Sequence, residues 1–284
     1  MRTPLVPDSL ADLDEHGFSI LRGVFAPQVI AGVRAALERL SDARIARSLA
    51  DGLIRDAHPD LGFDRRLIAI AAQHRETVPS FFREDLHAAE LFPLLAAPVL
   101  LDLGERLLGP EIRIYPNYMA RPKLPDDQRM LISWHQDAAY TAGFGVRGAV
   151  PADALRTLNI WAPLVPARRA NGCMQAIPGS HRLGLVPHAP FQEIHLAIAD
   201  HVLAPHVARA VDLACDPGDA IVFHNLLFHR GLPNTADTIR WSVDWRLQDA
   251  TQPTLRPQRG HLLRSHDPAA AISSAAGWAA AAFG

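Results

Sequence analysis

The stretch Thr238 to Gln248, TIRWSVDWRLQ, alternates without a break. On an extended chain Trp241, Val243, Trp245 and Leu247 fall on one face, and Arg240, Ser242, Asp244 and Arg246 on the other. Successive side chains of a strand point to opposite faces, so this segment must bury an apolar row under one side and solvate or pair the other. RTLNIWAPL repeats the pattern, with Leu158 and Ile160 opposed to Thr157, Asn159 and Trp161. Two readings of the polar faces stay open: solvent exposure of one sheet face, or a barrel whose interior is polar because it holds a polar ligand.

From Glu111 onward several more stretches read as short strands: EIRIYPNYMA, RMLISWHQD and DAIVFHNLLFH. Turn sequences separate them, among them PDD, RRANG, PGSH, DPGD and LPNTAD. The chain before Glu111 is mostly helical in pattern. HGFSILRGVF predicts a short strand. APQVIAGVRAALERL then places Val29, Ile30, Val33, Ala36, Leu37 and Leu40 at helical spacing, with Pro27 in the first turn. A second helix is expected over Phe92 to Leu108, ending at Gly109-Pro110, and a closing one in the Ala-rich Pro268 to Phe283. The expected fold class is mainly β with flanking helices, an antiparallel sheet system with helices packed outside. The expected organisation is one domain over 1–284: a mostly helical part to residue 110, a core over 111–250, and a C-terminal extension over 251–284.

Composition excludes several classes. A chain of 284 residues, 49% hydrophobic and 20% charged, can bury a large core. Its net charge is −2, and the Lys and Arg are scattered, so no nucleic-acid partner is expected. Cys173 and Cys215 form no disulfide framework and no C-x-x-C, and read as buried small apolar residues. The N-terminus lacks a basic region followed by an apolar one. The apolar stretch Leu91 to Leu108 is broken by Pro93, Pro98, Asp102, Glu105 and Arg106, so no membrane span is expected. A cytoplasmic location and a monomer or homodimer follow as defaults.

Within SWHQD, His135 and Asp137 stand two apart after an apolar run. On a strand they would share a face. Two His and one carboxylate on one face of an octahedron hold Fe(II) in non-haem oxygenases, so a third ligand is sought. GDAIVFHNLLFHRGLPN offers His224 and His229, five apart and therefore on opposite faces of a regular strand; one of them should reach the metal. Arg240 follows His229 by eleven residues, across a stretch that can turn a hairpin and bring the two together on neighbouring strands. A guanidinium there can fork onto a carboxylate, and Ser242, on the same face, can add a hydrogen bond.

Taken together, HGFSILRGVF, WHQD, LNIWAPL, NGCMQAIPGSHRLG, PGDAIVFHNLLFHRGLPN and IRWSVDWR resemble the phytanoyl-CoA dioxygenase (PhyH) family of Fe(II)/2-oxoglutarate-dependent oxygenases over most of the chain. The resemblance implies a double-stranded β-helix (a jelly-roll or cupin-like core). It implies Fe(II) held by His135, Asp137 and His229, with the first His of the F-H-x-x-x-x-H stretch not a ligand. It implies 2-oxoglutarate anchored by Arg240, with Asn159 and Trp161 lining its pocket, and O2 as the oxidant. Thr157, Ser242 and Asn117 are further candidates for that pocket. Since Asp137 is a carboxylate, and halogenating relatives carry a small residue there, hydroxylation is implied over halogenation.

The expected activity is thus hydroxylation of an aliphatic C–H of a small-molecule metabolite or biosynthetic intermediate, releasing succinate and CO2. The rivals are a 2-oxoglutarate-independent metal isomerase or lyase on the same barrel, and a non-catalytic small-molecule-binding barrel. Tyr140, Phe144 and Arg147 follow the H-x-D in a stretch able to cover the site and are candidate substrate contacts. Arg147, Arg168 and Arg169 are candidates for binding an acidic substrate group. His181 is expected to tie down its own turn, and Phe228 and Trp245 to be core.

Overall fold

A computed structural model describes residues 9–143, 151–191 and 195–281. In chain order the strands are β1 (Phe18–Leu21), β2 (Phe81–Phe82), β3 (Ile112–Ile114), β4 (Met119–Lys123) and β5 (Thr157–Pro163). There follow β6 (Met174–Ala176), β7 (His188–Phe191), β8 (His195–Ile198), β9 (Val211–Leu213) and β10 (Ala220–His224). The last are β11 (His229–Gly231), β12 (Arg240–Asp249) and β13 (His261–Arg264).

Among the described residues the main sheet is antiparallel and has eight strands, with β1-β10-β5-β12-β3-β13 as its path, β4 attached at β12 and β2 at β4. Strand β12 organises it. It is ten residues long; Ser242–Gln248 pair with β5 along one edge, while the other edge is shared by β4, opposite Arg240–Asp244, and β3, opposite Leu247–Asp249. Its apolar row Trp241, Val243, Trp245 and Leu247 packs into the largest core cluster with residues of the helices Pro27–Ala50 and Pro98–Leu108, such as Val33, Leu37, Leu100 and Leu103. Trp241 stacks on Phe63 and Phe81, at 5.5 and 6.4 Å between centroids, and its indole N–H donates to Asp64 at 3.0 Å.

The polar row of β12 is not solvated. A three-stranded sheet, β11-β6-β9, lies against that face of the main sheet. Between them Trp161, Ile221 and Phe223 of the main sheet share a core cluster with Met174, Ala176 and Leu213 of the smaller one. Of the two readings of the alternating strands, the polar interior is the one observed. Strands β7 and β8 form a separate pair. The observed architecture is a mixed fold, helices packed on an antiparallel sheet system.

Several expected elements differ. The first long helix runs on to Ala50, where Ile45 and Ser48 continue its buried face. The helix expected over Phe92 to Leu108 is two, Phe92–Leu95 and Pro98–Leu108. Pro98 has no N–H and crowds the residue before it, and Ala97 is extended at ψ 128°. EIRIYPNYMA is not one strand but β3 and β4, parted around Pro116. RMLISWHQD forms no strand: it holds a 3-10 turn at Gln128–Met130, a single bridge at His135, and then a helix from Asp137. At the C-terminus the helix is short, Ala275–Ala280, after a 3-10 turn at Pro268–Ala270. The part before residue 110 contributes β1 and β2 to the main sheet. No helix among the described residues is long and apolar enough to cross a membrane.

Candidate metal centre

His135 and His229 are brought together by their own backbones. Each N–H donates to the other's carbonyl, at 3.0 and 3.1 Å, in an isolated antiparallel bridge that sets the ring centroids 4.1 Å apart. Asp137 joins them as the first residue of the helix Asp137–Gly143. The i, i+2 convergence expected of a strand is therefore achieved by a bridge residue followed by a helix start. One ligand atom from each of the three residues lies within 4.8 Å of the others, and all three side chains are buried.

The ring orientations follow from second hydrogen bonds. Nδ1 of His135 is 2.8 Å from the Ser133 carbonyl, and Nδ1 of His229 is 3.0 Å from the Leu227 carbonyl. A carbonyl only accepts, so each Nδ1 carries a proton and donates it, which leaves Nε2 as the ring nitrogen that faces the cluster. Both Nε2 atoms face Oδ1 of Asp137, at 3.5 and 4.0 Å. Burial, with the neighbouring His135, pushes the His229 imidazole down to about 3, so it is neutral at physiological pH.

The other carboxylate oxygen is fully engaged. Oδ2 of Asp137 accepts from Arg246 Nη2 at 2.7 Å and from Asn159 Nδ2 at 2.8 Å. Burial alone would raise the Asp137 pKa, but the Arg246 guanidinium, with the His135 and His229 rings, holds it well below the usual carboxylate range. Arg246 is itself fixed by donating to the Asn117 carbonyl at 2.9 Å. Gln136, between the two ligands, points away. Its amide donates to the carbonyls of Gly184 and Leu226, 2.7 Å each, and accepts from Val186 N–H at 2.9 Å, stitching two loops to the H-x-D segment.

At the other end of the polar row of β12 sits Arg240, buried in the same cavity. Its guanidinium carbon lies 5.1 Å from the Trp161 ring centroid. Nε donates to the Gly172 carbonyl at 3.2 Å, and Nη1 to Ser242 Oγ at 2.5 Å. Burial and the nearby Arg121 lower it to about 10, which leaves it a cation at neutral pH. Among the described residues, the cavity-lining carboxylates are Asp137 and Asp244. Asp137 is held by Arg246, and Asp244 is paired with Arg121 at 3.0 Å. Among the described residues no carboxylate forms an ion pair with Arg240.

The remaining residues named from sequence divide. Asn159 and Trp161 line the cavity, though the Asn159 amide is spent on Asp137. Ser242 is fully buried against Arg240. Thr157 starts β5, half-buried, and is not among the residues lining the cavity. Asn117 sits in the link between β3 and β4, not on a strand, and meets the site through its carbonyl. Arg240 and His229 are not neighbours in one hairpin: β11 belongs to the smaller sheet and β12 to the main one, and the two face each other across the cavity. His224 and His229 likewise occupy different strands, because the chain turns at Asn225–Phe228. His224 Nδ1 accepts from Leu226 N–H at 3.1 Å, away from the triad. His181 is anchored to the Asp14 carbonyl at 3.1 Å instead of its own turn. The Tyr140 ring meets His135 edge-on at 5.3 Å, and its hydroxyl accepts from Leu196 N–H at 3.0 Å. Arg168 and Arg169 are spent on Asp216 and Asp212 at the surface, outside the cavity. Phe144 and Arg147 lie outside the described residues. Phe228 and Trp245 are core, and both cysteines are buried. Sequence reasoning missed Arg246 and Lys123 as site residues; strand parity could have found the first, since it shares a face with Arg240.

The family model for phytanoyl-CoA dioxygenase (PhyH) matches residues 13–242. The chain belongs to the phytanoyl-CoA dioxygenase family. Within the span similar to that family fall His135, Asp137, His229, Arg240 and Ser242; Arg246 lies just beyond it. Among relatives, 1-deoxypentalenic acid 11-beta-hydroxylase of Streptomyces arenae is 26% identical over 271 residues, covering 88% of this chain and 84% of that protein. Peroxisomal phytanoyl-CoA dioxygenase of Bos taurus is 26% identical over 250 residues, covering 84% and 66%. Among solved structures, EctD from S. alaskensis with 2-oxoglutarate and 5-hydroxyectoine superposes with a TM-score of 0.63 at 22% identity, over 90% of this chain and 80% of that one. The non-heme monooxygenase ThoJ gives 0.59 at 23% identity, over 92% and 85%. These likenesses place the fold with those enzymes.

Proposed function

We propose that this phytanoyl-CoA dioxygenase family member is a non-haem Fe(II)/2-oxoglutarate-dependent dioxygenase that hydroxylates an aliphatic C–H of a small-molecule metabolite or biosynthetic intermediate. The observation that carries the reading is the pairing, in one cavity, of a buried two-His, one-carboxylate cluster with a buried arginine that has no carboxylate. Hydroxylase and 2-oxoglutarate in the names of similar proteins support it.

The donor set fits Fe(II). Two imidazole Nε2 atoms and one carboxylate oxygen converge, the donor set of a facial triad. His135, Asp137 and His229 would hold the metal, and Arg240 the far carboxylate of 2-oxoglutarate. When bound, the iron and co-substrate supply the oxidising chemistry, in which O2, 2-oxoglutarate and R–H give R–OH, succinate and CO2.

The protein's part is orientation and exclusion. The Ser133 and Leu227 carbonyls fix the ring tautomers. Arg246 and Asn159 take Oδ2 of Asp137, leaving Oδ1 as the oxygen that would hold the metal. Arg240, clamped by Ser242, Gly172 and Trp161, presents a preorganised, buried cation, and burial strengthens an ionic hydrogen bond. Tyr140 and the β7–β8 pair lie beside His135, where an organic substrate would approach. In the same reading the two facing sheets are the halves of a double-stranded β-helix within a single domain over 1–284, working in the cytoplasm.

The test is anaerobic binding of Fe(II) and 2-oxoglutarate followed by substrate-stimulated succinate release across a compound panel. His135→Ala should abolish turnover, and Arg240→Ala should chiefly weaken 2-oxoglutarate binding. Metal-dependent turnover without succinate would favour the isomerase or lyase reading. Iron binding with unchanged 2-oxoglutarate affinity in Arg240→Ala would sink the assignment of the anchor.

A further inference from the structure

Lys123 is the last residue of β4, and only 5% of its surface is exposed. Burying a lysine is costly unless something compensates the charge. Here its cross-strand partner is another cation: Lys123 stands opposite Arg240 in the β4–β12 register. Arg121, two residues back and on the same strand face, is already paired with Asp244. Among the described residues no carboxylate lies within ion-pair distance of Lys123, and both carboxylates of the cavity it lines are taken by arginines.

The fold makes room for this side chain. A Cβ on Gly231 would lie 3.0 Å from Lys123 Nζ, and one on Gly172 would lie 2.9 Å from Lys123 Cδ. The lysine therefore runs between these glycines, with its ammonium against Gly231, two residues beyond the metal-site histidine His229. Gly172 is also the residue whose carbonyl receives Arg240 Nε. Lys123 and Arg240 thus touch the same residue from adjacent strands and end in the same cavity. Among the described residues, neither of these two buried, neighbouring cations has an ion-pair partner to offset the cost of burying it.

We propose that Lys123 is a second anchor for the co-substrate, gripping together with Arg240 the carboxylate that points away from the metal. The inference rests on the 2-oxoglutarate reading given above. An anion between the two cations converts their repulsion into two charge-assisted bonds, with the Ser242 hydroxyl beside Arg240. It also supports the charged form of Lys123, whose pKa burial and the neighbouring Arg240 push down to about 7. A pocket built this way selects a 2-oxo diacid over a 2-oxo monoacid, because only the diacid brings the compensating charge.

The experiment compares the full chain with Lys123→Met and, as a polar variant of similar size, Lys123→Gln. Iron-loaded protein is titrated anaerobically with 2-oxoglutarate and with 2-oxobutyrate, following the visible metal-to-ligand charge-transfer band, and melting of the metal-free proteins is recorded. Both variants should bind 2-oxoglutarate at least about tenfold more weakly and 2-oxobutyrate with unchanged affinity. Lys123→Met, freed of an unpaired buried charge, should melt at or above the wild-type temperature. Unchanged 2-oxoglutarate affinity overturns the proposal, as does an equal loss for both acids, which would mark Lys123 as structural. If 2-oxoglutarate produces no band with the wild-type protein, the co-substrate reading itself fails and this inference goes with it; a band of equal affinity in wild type and variants removes the lysine alone.

Discussion

Arg246 Nη2 lies 2.7 Å from Oδ2 of Asp137, and both side chains are almost entirely removed from solvent. This contact ties the last third of the sheet's longest strand to the first residue of a helix more than a hundred positions earlier, and it decides which carboxylate oxygen is free. A buried carboxylate deprived of its cation costs about 3–5 kcal/mol.

Arg246→Met should therefore lower thermal stability of the metal-free protein and weaken Fe(II) or Co(II) binding roughly 10- to 100-fold, the scale of a lost outer-shell partner. Arg246→Lys should recover only part of this, since an ammonium cannot reproduce the fork between Asp137 and the Asn117 carbonyl. Metal titration by competition with a chromophoric chelator reads it. Wild-type affinity in Arg246→Met would contradict the positioning role.

Gly172 holds φ +80°, and a Cβ there would lie 2.5 Å from the Leu232 carbonyl oxygen and 2.9 Å from Lys123 Cδ. Gly172→Ala should cost about 1–3 kcal/mol of stability from backbone strain, with the backbone clash added to it, and should disturb Arg240 through the Gly172 carbonyl. Gly23, at φ +62° with nothing within 4 Å of its would-be Cβ, is the control; Gly23→Ala should cost only about 1–2 kcal/mol. Urea denaturation of the pair separates the clash from the dihedral penalty, and equal losses would refute the distinction.

His224 is pushed down to about 4 by burial and by the adjacent His181 ring, 5.3 Å away. Its unfolded value is about 6.5, so on acidification the unfolded chain takes up the proton first. Stability contributed by the neutral ring is present above about pH 6.5 and is lost as pH falls towards 4. His224→Gln should flatten the fall in melting temperature between pH 7 and 5. His181 and His229 are depressed in the same direction, so the slope should shrink without vanishing; an unaltered slope would mean that His224 does not titrate as stated.

The His–Asp–His cluster was legible because its spacing is a local signal: an H-x-D pair, a histidine in H-R-G, and an arginine eleven residues on. The geometry that justified it was different. His135 sits in one bridge and Asp137 on a helix, so their convergence owes nothing to strand pleating. Lys123 lies beyond EIRIYPNYMA, the stretch that reads as a strand, and follows Pro122, a residue that disfavours central strands. Strand β4 nonetheless continues through it, because Pro122 pairs with Trp241 on one side while β2 reaches only Met119 and Ala120 on the other. A missing N–H is tolerated on such a free edge.

Local pattern along the chain determined which face of β12 would be apolar, that a mostly helical first part would be followed by short strands, and which residue types could hold a metal. Those follow from local sterics and from the period of two, which depend on near neighbours alone. Tertiary structure decided what covered the polar face, which carboxylate oxygen of Asp137 was left free, and that Lys123 and Arg240 share one buried space. Such facts depend on strands far apart in sequence meeting at close range, where burial strips away water and lets a single charge pair or its absence dominate.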